Sequence, residues 1–338
     1  MIFGNVFTGT IDSDFLSNKK AEDTIRVITI SDSEYYNSKN PYILLVLVFS
    51  FIAMFSNLLK GLFRKIFRER DKPFPKLFWD MGRDKNHKSG FFIDKFSPLN
   101  HYIKVKAASS VALDILYDWE DIRKKMGDDL GSKITKFWFD NMANRKALSN
   151  RKKVVSSLLV DAIDAFIDEP EVRIISIASG SARAVIEAVK ECKHENVRVI
   201  LIDKDEEAIL NAKRNAFKSG LFDNFEFICD STRCLENFSD FRPHIVEMVG
   251  LVDYYSNEKA SKLIARVRKI MLKSGFFITG NINKNPEKLF LDWGLLWPMC
   301  YKCPDELKGI MINAGFSPEK VSIFYEPLKI HGVSIAQK

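Results

Sequence analysis

A turn of small residues follows the first strongly apolar run in the second half of the chain. The run Arg173–Ile177 predicts a buried strand; it leads into Ala178-Ser-Gly-Ser-Ala-Arg183 and then into an amphipathic helical pattern. A turn of this kind lets the backbone approach a ligand closely, and it leaves free N–H groups at the N-terminus of the helix. Steric demands alone also select small residues in a tight turn, so a purely structural role stays open.

Two aspartates close the next two predicted strands. Asp203 ends the second strand, where a carboxylate can accept hydrogen bonds from ribose hydroxyls, and Asp230 follows the third strand in Phe-Ile-Cys-Asp. Because ligands of open α/β sheets bind at the carboxyl ends of the strands, the turn and both aspartates predict one binding crevice. The alternative is that Asp203 caps the helix near Glu206 and that Asp230 is a turn residue.

The elements that would position these residues alternate from Val172 onward. Short apolar runs separated by amphipathic patterns are typical of a parallel sheet with crossover helices. The predicted strands cover residues 173–177, 198–202, 225–229, 245–251, 275–279, 321–325 and 332–336, and the last two form a hairpin-like pair. The predicted fold class is therefore α/β, with a Rossmann-like, seven-stranded, mostly parallel sheet behind an N-terminal helical extension.

These features together resemble the class I S-adenosylmethionine (SAM) dependent methyltransferases over about Lys152–Gln337. Three segments also resemble a bacterial group known only as "putative methyltransferases", namely 177–183, 139–145 with 151–153, and 250–255. The resemblance implies methyl transfer as the activity and SAM as the cofactor. The cofactor-binding residues it implies are Ser176, Ala178, Ser179, Gly180, Ser181, Asp203, Asp230 and Ser231.

Each part of SAM is assigned by that resemblance. The residues from Ala178 to Ser181 would wrap the methionine part, Asp203 would hold the ribose hydroxyls, and Asp230 with Ser231 would meet the adenine. Ser176 stands where the superfamily usually has an acid for the methionine amino group, and Ala178 and Ala182 stand where glycines are usual. The alternative is therefore a membrane-anchored, non-catalytic module that keeps the fold.

The segment Gly250–Ser256 lies where acceptor-side residues usually sit in this fold. Asp253, Tyr254 and Tyr255 are the predicted catalytic residues, because methyl transfer needs in-line placement of the acceptor and at most one base. Capping of the loop by Asp253, with both tyrosines packed on the sheet, is the alternative. Glu247 is an unusual acid in an apolar run; it faces either the crevice or an ion-pair partner at a strand edge.

Composition narrows the class of protein. Of 338 residues 46% are hydrophobic and 28% charged, which excludes general disorder and a polytopic membrane protein. The net charge of +7 arises from 51 basic and 44 acidic residues mixed along the chain, so a nucleic-acid partner is not predicted. The five cysteines predict reduced thiols, and because Cys300-x-x-Cys303 has no second pair, no metal site is predicted.

One segment departs from this soluble composition. Tyr42–Leu59 contains 18 residues without a charge, which predicts a single transmembrane or membrane-associated helix. Basic residues follow at Lys60, Arg64, Lys65, Arg68, Arg70, Lys72 and Lys76, so the positive-inside rule places the rest of the chain in the cytoplasm. A buried core helix or an interfacial hairpin is the alternative.

We therefore expect five segments: residues 1–41 without an assigned role, a membrane helix over 42–60, a basic linker over 61–97, a helical lead-in over 98–166, and a SAM-binding domain over 167–338. The predicted function is SAM-dependent methylation of a small amphiphilic or lipid-like acceptor at the cytoplasmic face of the inner membrane. The membrane helix and the aromatic insertion Leu289–Pro298 suggest that acceptor, although simple packing of the insertion is the alternative. A nucleic-acid acceptor is disfavoured, because Gly250-Leu-Val-Asp253 is unlike Asn-Pro-Pro-Tyr.

Overall fold

The computed structural model describes residues 26–89 and 91–338, and its central feature is an eight-stranded sheet. The strands are β1 (Arg26–Thr29), β2 (Val172–Ile177), β3 (Val197–Asp203), β4 (Phe225–Cys229), β5 (Ile245–Val249), β6 (Phe276–Ile282), β7 (Val321–Tyr325) and β8 (His331–Gln337). They are ordered β1-β7-β8-β6-β5-β2-β3-β4, with β8 antiparallel to β6 and β7 and every other pair parallel. The predicted α/β class and mostly parallel sheet are confirmed.

The strand count differs from the seven that the sequence predicts. All seven predicted strands are present, and β1 adds an eighth by pairing in parallel with β7, from Arg26 opposite Ser322 to Thr29 opposite Tyr325. The β-prone run Ile25–Ile30 contains this strand, although Ile25 itself lies outside the described residues. Four residues at a sheet edge give too short a pattern to identify a strand from sequence alone.

Twelve α-helices accompany the sheet in the described part of the chain. They are α1 (Ile43–Phe67), α2 (Phe74–Arg83), α3 (Phe91–Phe96), α4 (Pro98–Val105), α5 (Ser110–Tyr117), α6 (Trp119–Lys125), α7 (Leu130–Asn141), α8 (Ala143–Asp164), α9 (Arg183–Glu191), α10 (Glu206–Ser219), α11 (Asn257–Ile270) and α12 (Pro304–Asn313). The helical extension is confirmed. Within residues 61–97, α1 continues to Phe67 and is followed by α2 and α3, so this segment is largely helical.

The chain divides into two compact units. Among the described residues, unit 1 comprises those up to Asn37, Ala147–Asn283 and Cys300–Lys338, and it contains the whole sheet. Unit 2 comprises Ser38–Lys146 and Lys284–Met299, with α1 to α7 and a short π-helical turn, Phe290–Gly294. The segment boundaries predicted from the sequence stay predictions.

Two apolar cores in unit 1 cover the two faces of its sheet. One joins inward residues of β2 and β3 to α8, α9 and α10, and the other joins the opposite side of these strands to α11 and α12. Because helices cover both faces, the central strands are apolar on both sides, as in Val172–Ile177 with five of its six residues buried. The carboxyl ends of β2 to β6 meet at one edge of the sheet, where the predicted site residues lie.

Candidate functional site

The turn after β2 has an unusual backbone. Ala178, Gly180 and Ala182 adopt positive φ angles of 53°, 56° and 56°, so every second residue of the turn is left-handed. Glycine adopts this conformation freely, whereas each alanine is strained by contact of its Cβ with the backbone. The turn opens helix α9, whose N-cap residue, Ala182, provides no side-chain cap hydrogen bond.

Asp203 fixes this turn at the end of β3. Its Oδ2 accepts a hydrogen bond from the Gly180 N–H at 2.8 Å, and its Oδ1 accepts one from the Asp205 N–H at 2.9 Å. The backbone carbonyl of Asp203 accepts the N–H of Asp230 at 3.0 Å, which joins the end of β4 to the same edge. The structure thus brings together the turn and the two aspartates that the sequence predicts at one crevice.

The strain of the two alanines is measurable. We expect Ala178→Gly and Ala182→Gly each to raise the free energy of unfolding by about 1 kcal/mol, because glycine relieves the left-handed Cβ contact. Urea denaturation followed by circular dichroism measures the change. Ala188→Gly is the matched control: Ala188 is buried within α9, so glycine there is expected to lower stability by about 1 kcal/mol. Loss of stability in both turn variants would contradict the strain.

The remaining predicted cofactor residues lie in or next to the turn after β2 and at the end of β4. The Ser179 Oγ is buried and has no hydrogen-bond partner among the described residues, and the Ser181 carbonyl accepts a hydrogen bond from Asn215 Nδ2 at 3.0 Å. Asp230 is exposed, and its Oδ1 accepts the N–H of Ser231 at 2.6 Å. The buried Ser179 hydroxyl and the exposed Asp230 carboxylate thus belong to two different loops, after β2 and after β4.

Ser176 and Glu247 form a pair that the sequence did not reveal. They lie opposite each other in the register of β2 and β5, and the Ser176 hydroxyl donates to Glu247 Oε2 at 2.5 Å. Glu247 Oε1 accepts the N–H of Val249 at 2.8 Å. Burial raises the pKa of Glu247 to about 7, although both hydrogen bonds and the charge of Arg151 oppose the shift. The structure therefore places a carboxyl group directly beside Ser176.

The three predicted catalytic residues do not share one environment. Asp253 is buried; its Oδ1 accepts hydrogen bonds from Asn281 Nδ2 at 2.7 Å and from the Ile282 N–H at 2.8 Å. Burial raises the pKa of Asp253, which favours its protonated form. Tyr254 is exposed, whereas Tyr255 packs against the apolar core of α11 and α12. Tyr254 is thus the member that faces solvent.

Two buried basic side chains, Arg151 and His331, are not among the site residues that the sequence predicts. The Arg151 Nη1 lies 3.9 Å from Asp253 Oδ2, and both side chains are buried. The His331 ring is 2% exposed, neither of its nitrogens has a partner among the described residues, and burial with the charge of Arg151 lowers its pKa. Their signal in the sequence is weak: a histidine heading an apolar strand, and an arginine on the sheet-facing side of an amphipathic helix.

Cys300 contacts the site through its backbone, since its N–H donates to the Asp253 carbonyl at 2.7 Å. Cys300 is exposed and Cys303 partly buried, with the Cys303 N–H donating to Glu306 Oε2 at 2.8 Å at the start of α12. All five cysteines are free thiols. Over residues 26–89 and 91–338 there is no group of three or more His, Cys, Asp or Glu residues that could hold a metal ion.

The fold is a Rossmann-like α/β sheet, and the small-residue turn and the two aspartates lie together at the carboxyl ends of its strands. A family model described as "Putative methyltransferase" matches residues 106–338. The chain belongs to this methyltransferase family, which confirms the resemblance that its sequence suggests. No curated protein matches the chain.

Solved structures share the fold at low sequence identity. A "possible exported protein" from Bordetella parapertussis superposes with a TM-score of 0.61 and 13% identity, over 87% of this chain and 95% of its own. Magnesium protoporphyrin IX methyltransferase from Synechocystis PCC 6803 with bound SAH gives a TM-score of 0.45 at 13% identity, over 68% of this chain and 98% of its own. The CurJ carbon methyltransferase gives a TM-score of 0.48 at 12% identity, over 79% of this chain and 71% of its own.

Proposed function

We propose that the protein transfers a methyl group from SAM to an acceptor bound at the carboxyl edge of its sheet. The observation that carries the proposal is the bond from the Gly180 N–H to Asp203, which holds the small-residue turn against a strand-ending carboxylate. Membership of a methyltransferase family supports the same activity. When bound, SAM supplies an electrophilic methyl group on a sulfonium centre.

The residues at this edge suit the chemical groups of SAM. Glu247 would receive the ammonium of the methionine part, because it is the buried carboxylate beside Ser176, and the turn from Ala178 to Ser181 would surround the rest of that part. Asp203 retains acceptor capacity for ribose hydroxyls, since each carboxylate oxygen has two lone pairs and accepts one N–H. Asp230 and Ser231 would meet the adenine.

Asp253, Tyr254 and Tyr255 remain our candidates for the acceptor side. Asp253, with its raised pKa, would position the segment rather than contact the acceptor, because Asn281 and Ile282 occupy its Oδ1 and Arg151 faces its Oδ2. Tyr254 is exposed and could orient an acceptor by hydrogen bonding. Methyl transfer needs chiefly in-line placement, so an orienting hydroxyl is sufficient for an acceptor that carries its own nucleophile.

We also propose that the protein acts at the cytoplasmic membrane face on a small amphiphilic or lipid-like acceptor. Helix α1 supports the location, because among the described residues it is the helix long and apolar enough to cross a membrane. The insertion around Trp293 gives no support for the acceptor class, since Phe290, Leu291 and Leu295 to Trp297 are buried in unit 2. The acceptor class therefore rests on α1 alone.

Calorimetric titration with SAM and with its demethylated product SAH tests the proposal. We expect both to bind, because the product keeps the amino-acid and nucleoside parts that the crevice residues would hold. The absence of measurable binding at millimolar ligand would exclude the enzyme. The strained Ala178 and Ala182 favour a second candidate, a SAM-binding module without transfer chemistry; it predicts binding but no radiolabel transfer from methyl-labelled SAM to a membrane lipid extract.

A further inference from the structure

Helix α1 is amphipathic in the opposite sense to a helix of a soluble protein. Its buried stripe consists of Val46, Ser50, Ala53, Asn57 and Gly61, which are mostly small or polar. Its exposed surface carries large apolar side chains: Leu44, Leu45, Val48, Phe51, Ile52, Phe55, Leu58, Leu59, Leu62, Phe63, Ile66 and Phe67. A water-soluble surface helix turns its apolar side inward. The outer face of α1 is therefore suited to an apolar medium.

The buried stripe is fixed to unit 2 by specific contacts. Asn57 Nδ2 donates to the Trp293 carbonyl at 2.8 Å, and its Oδ1 lies 2.8 Å from His87 Nε2. Burial lowers the pKa of His87 to about 3, so the ring is neutral and donates from Nε2. A Cβ on Gly61 would lie 2.7 Å from Phe78 Cε1, so the helix backbone touches α2 directly. Protein thus covers one side of α1 along its middle.

These contacts argue against a helix surrounded by lipid. If α1 crossed the bilayer, the polar Asn57, His87 and Trp293 carbonyl would lie at the depth of the acyl chains together with irregular backbone of the 290–297 segment. Such backbone is tolerated at membrane depth only when protein surrounds it, so part of unit 2 would have to enter the bilayer together with α1. A helix that lies in the membrane plane keeps the buried stripe on unit 2 and offers only its outer face to the acyl chains.

The charges around α1 indicate which lipids it meets. Lys60, Arg68, Arg70 and Lys76 are exposed at or just beyond its C-terminal part. Exposed basic residues beside an interfacial apolar face attract anionic headgroups. We propose that α1 lies along one leaflet of an anionic bilayer, with its large apolar face in the acyl region, and that it does not span the membrane. This inference deepens the membrane attachment proposed above.

Cysteine labelling tests the topology. Lys39→Cys and Arg70→Cys place thiols at exposed positions on either side of α1 in the full chain. In inside-out bacterial membrane vesicles, a membrane-impermeant maleimide is expected to label both without detergent, and peptide mass spectrometry separates them from the native cysteines. Labelling of Lys39→Cys only after detergent would show a span and overturn the proposal. Recovery of the chain outside the membrane fraction would overturn it as well.

Vesicle partitioning tests whether the exposed apolar face of α1 binds lipid. The full chain is expected to bind vesicles of equimolar phosphatidylcholine and phosphatidylglycerol at least tenfold more strongly than vesicles of phosphatidylcholine. Phe51→Ser with Phe55→Ser is expected to weaken binding by at least tenfold, because both rings leave the acyl region. Phe217→Ser, which removes an even more exposed ring from α10, is the matched control and is expected to bind as the unmodified chain does.

Equal binding by the Phe51/Phe55 variant and the unmodified chain would contradict the proposal, as would soluble dimers in place of vesicle binding. SAM titration of the same variants separates the two proposals. Affinity for SAM is expected to be unchanged, since α1 contributes none of the candidate cofactor residues. Loss of vesicle binding with retained SAM affinity would therefore concern the membrane face alone.

Discussion

Replacement of Asp203 by alanine is expected to weaken SAM binding about 100-fold in calorimetric titration. The variant loses the acceptor of the Gly180 N–H, so the turn is no longer held against β3, and it loses the carboxylate available to the ribose hydroxyls. A hydrogen bond to a charged group contributes about 1.5–3 kcal/mol, and a 100-fold change in affinity corresponds to about 2.7 kcal/mol. One or two such bonds therefore account for the expected effect.

The neighbouring Asp205 provides a matched control. Its Oδ1 accepts the Glu207 N–H at 3.0 Å as the N-cap of α10, so Asp205→Ala is expected to lower the free energy of unfolding by about 1 kcal/mol. Its SAM affinity is expected to stay within about twofold of the unmodified protein. If Asp203→Ala bound SAM as tightly as Asp205→Ala, the role of Asp203 would be confined to bracing the turn.

Replacement of Glu247 by glutamine is expected to remove a pH dependence of stability on the order of 3 kcal/mol. The folded-state pKa of Glu247 is raised from its ordinary value of 4.5 to about 7, so the folded state holds this proton more tightly than the unfolded state does. The group's contribution to stability is complete below about pH 4.5 and is lost as the pH rises to about 7. Glutamine keeps a carbonyl oxygen for the Val249 N–H, and its NH2 group donates to the Ser176 hydroxyl, but it does not ionise.

Urea denaturation between pH 4.5 and 8 measures this difference. The free energy of unfolding of the unmodified protein, relative to that of Glu247→Gln, is expected to fall as the pH rises through this range. Glu226→Gln changes a glutamate of β4 whose side chain is 46% exposed, and it is expected to leave the pH profile unchanged. Parallel profiles for the Glu247 variant and the unmodified protein would show that the carboxyl group ionises normally.

The sheet could be predicted because its strands are long runs of apolar, often β-branched residues flanked by clear turns. The grouping of the two aspartates followed from the same pattern: Asp203 ends β3, Asp230 directly follows β4, and neighbouring parallel strands end at the same edge. The pairing of Ser176 with Glu247 could not be predicted, since it depends on the register of β2 against β5, strands separated along the chain by two others. The register between two strands depends on the tertiary fold, and the local sequence pattern of either strand does not determine it.

The surroundings of individual side chains could not be predicted from the sequence either. Hydropathy identified α1 as apolar, but it does not tell which face contacts protein, and here the face is decided by Asn57 and Gly61. Arg151 lies on a helix with many charged residues, so its burial depends on how that helix packs against the sheet. In both cases the sequence shows the type of each residue, but it does not show which groups surround that residue in the fold.

The order of strands in the sheet has a consequence for how unit 1 folds. β1 pairs only with β7, its partner across almost the whole length of the described chain, and β8 must enter between β6 and β7. Contacts between residues far apart in sequence form slowly, because a long loop must close first. During synthesis, one edge of β6 therefore stays unpaired until β8 emerges from the ribosome. β1 is synthesised before all other strands of the sheet, but it cannot pair until β7 has been made. An open strand edge invites association with other chains, so the nascent protein is most prone to aggregate before β8 is in place.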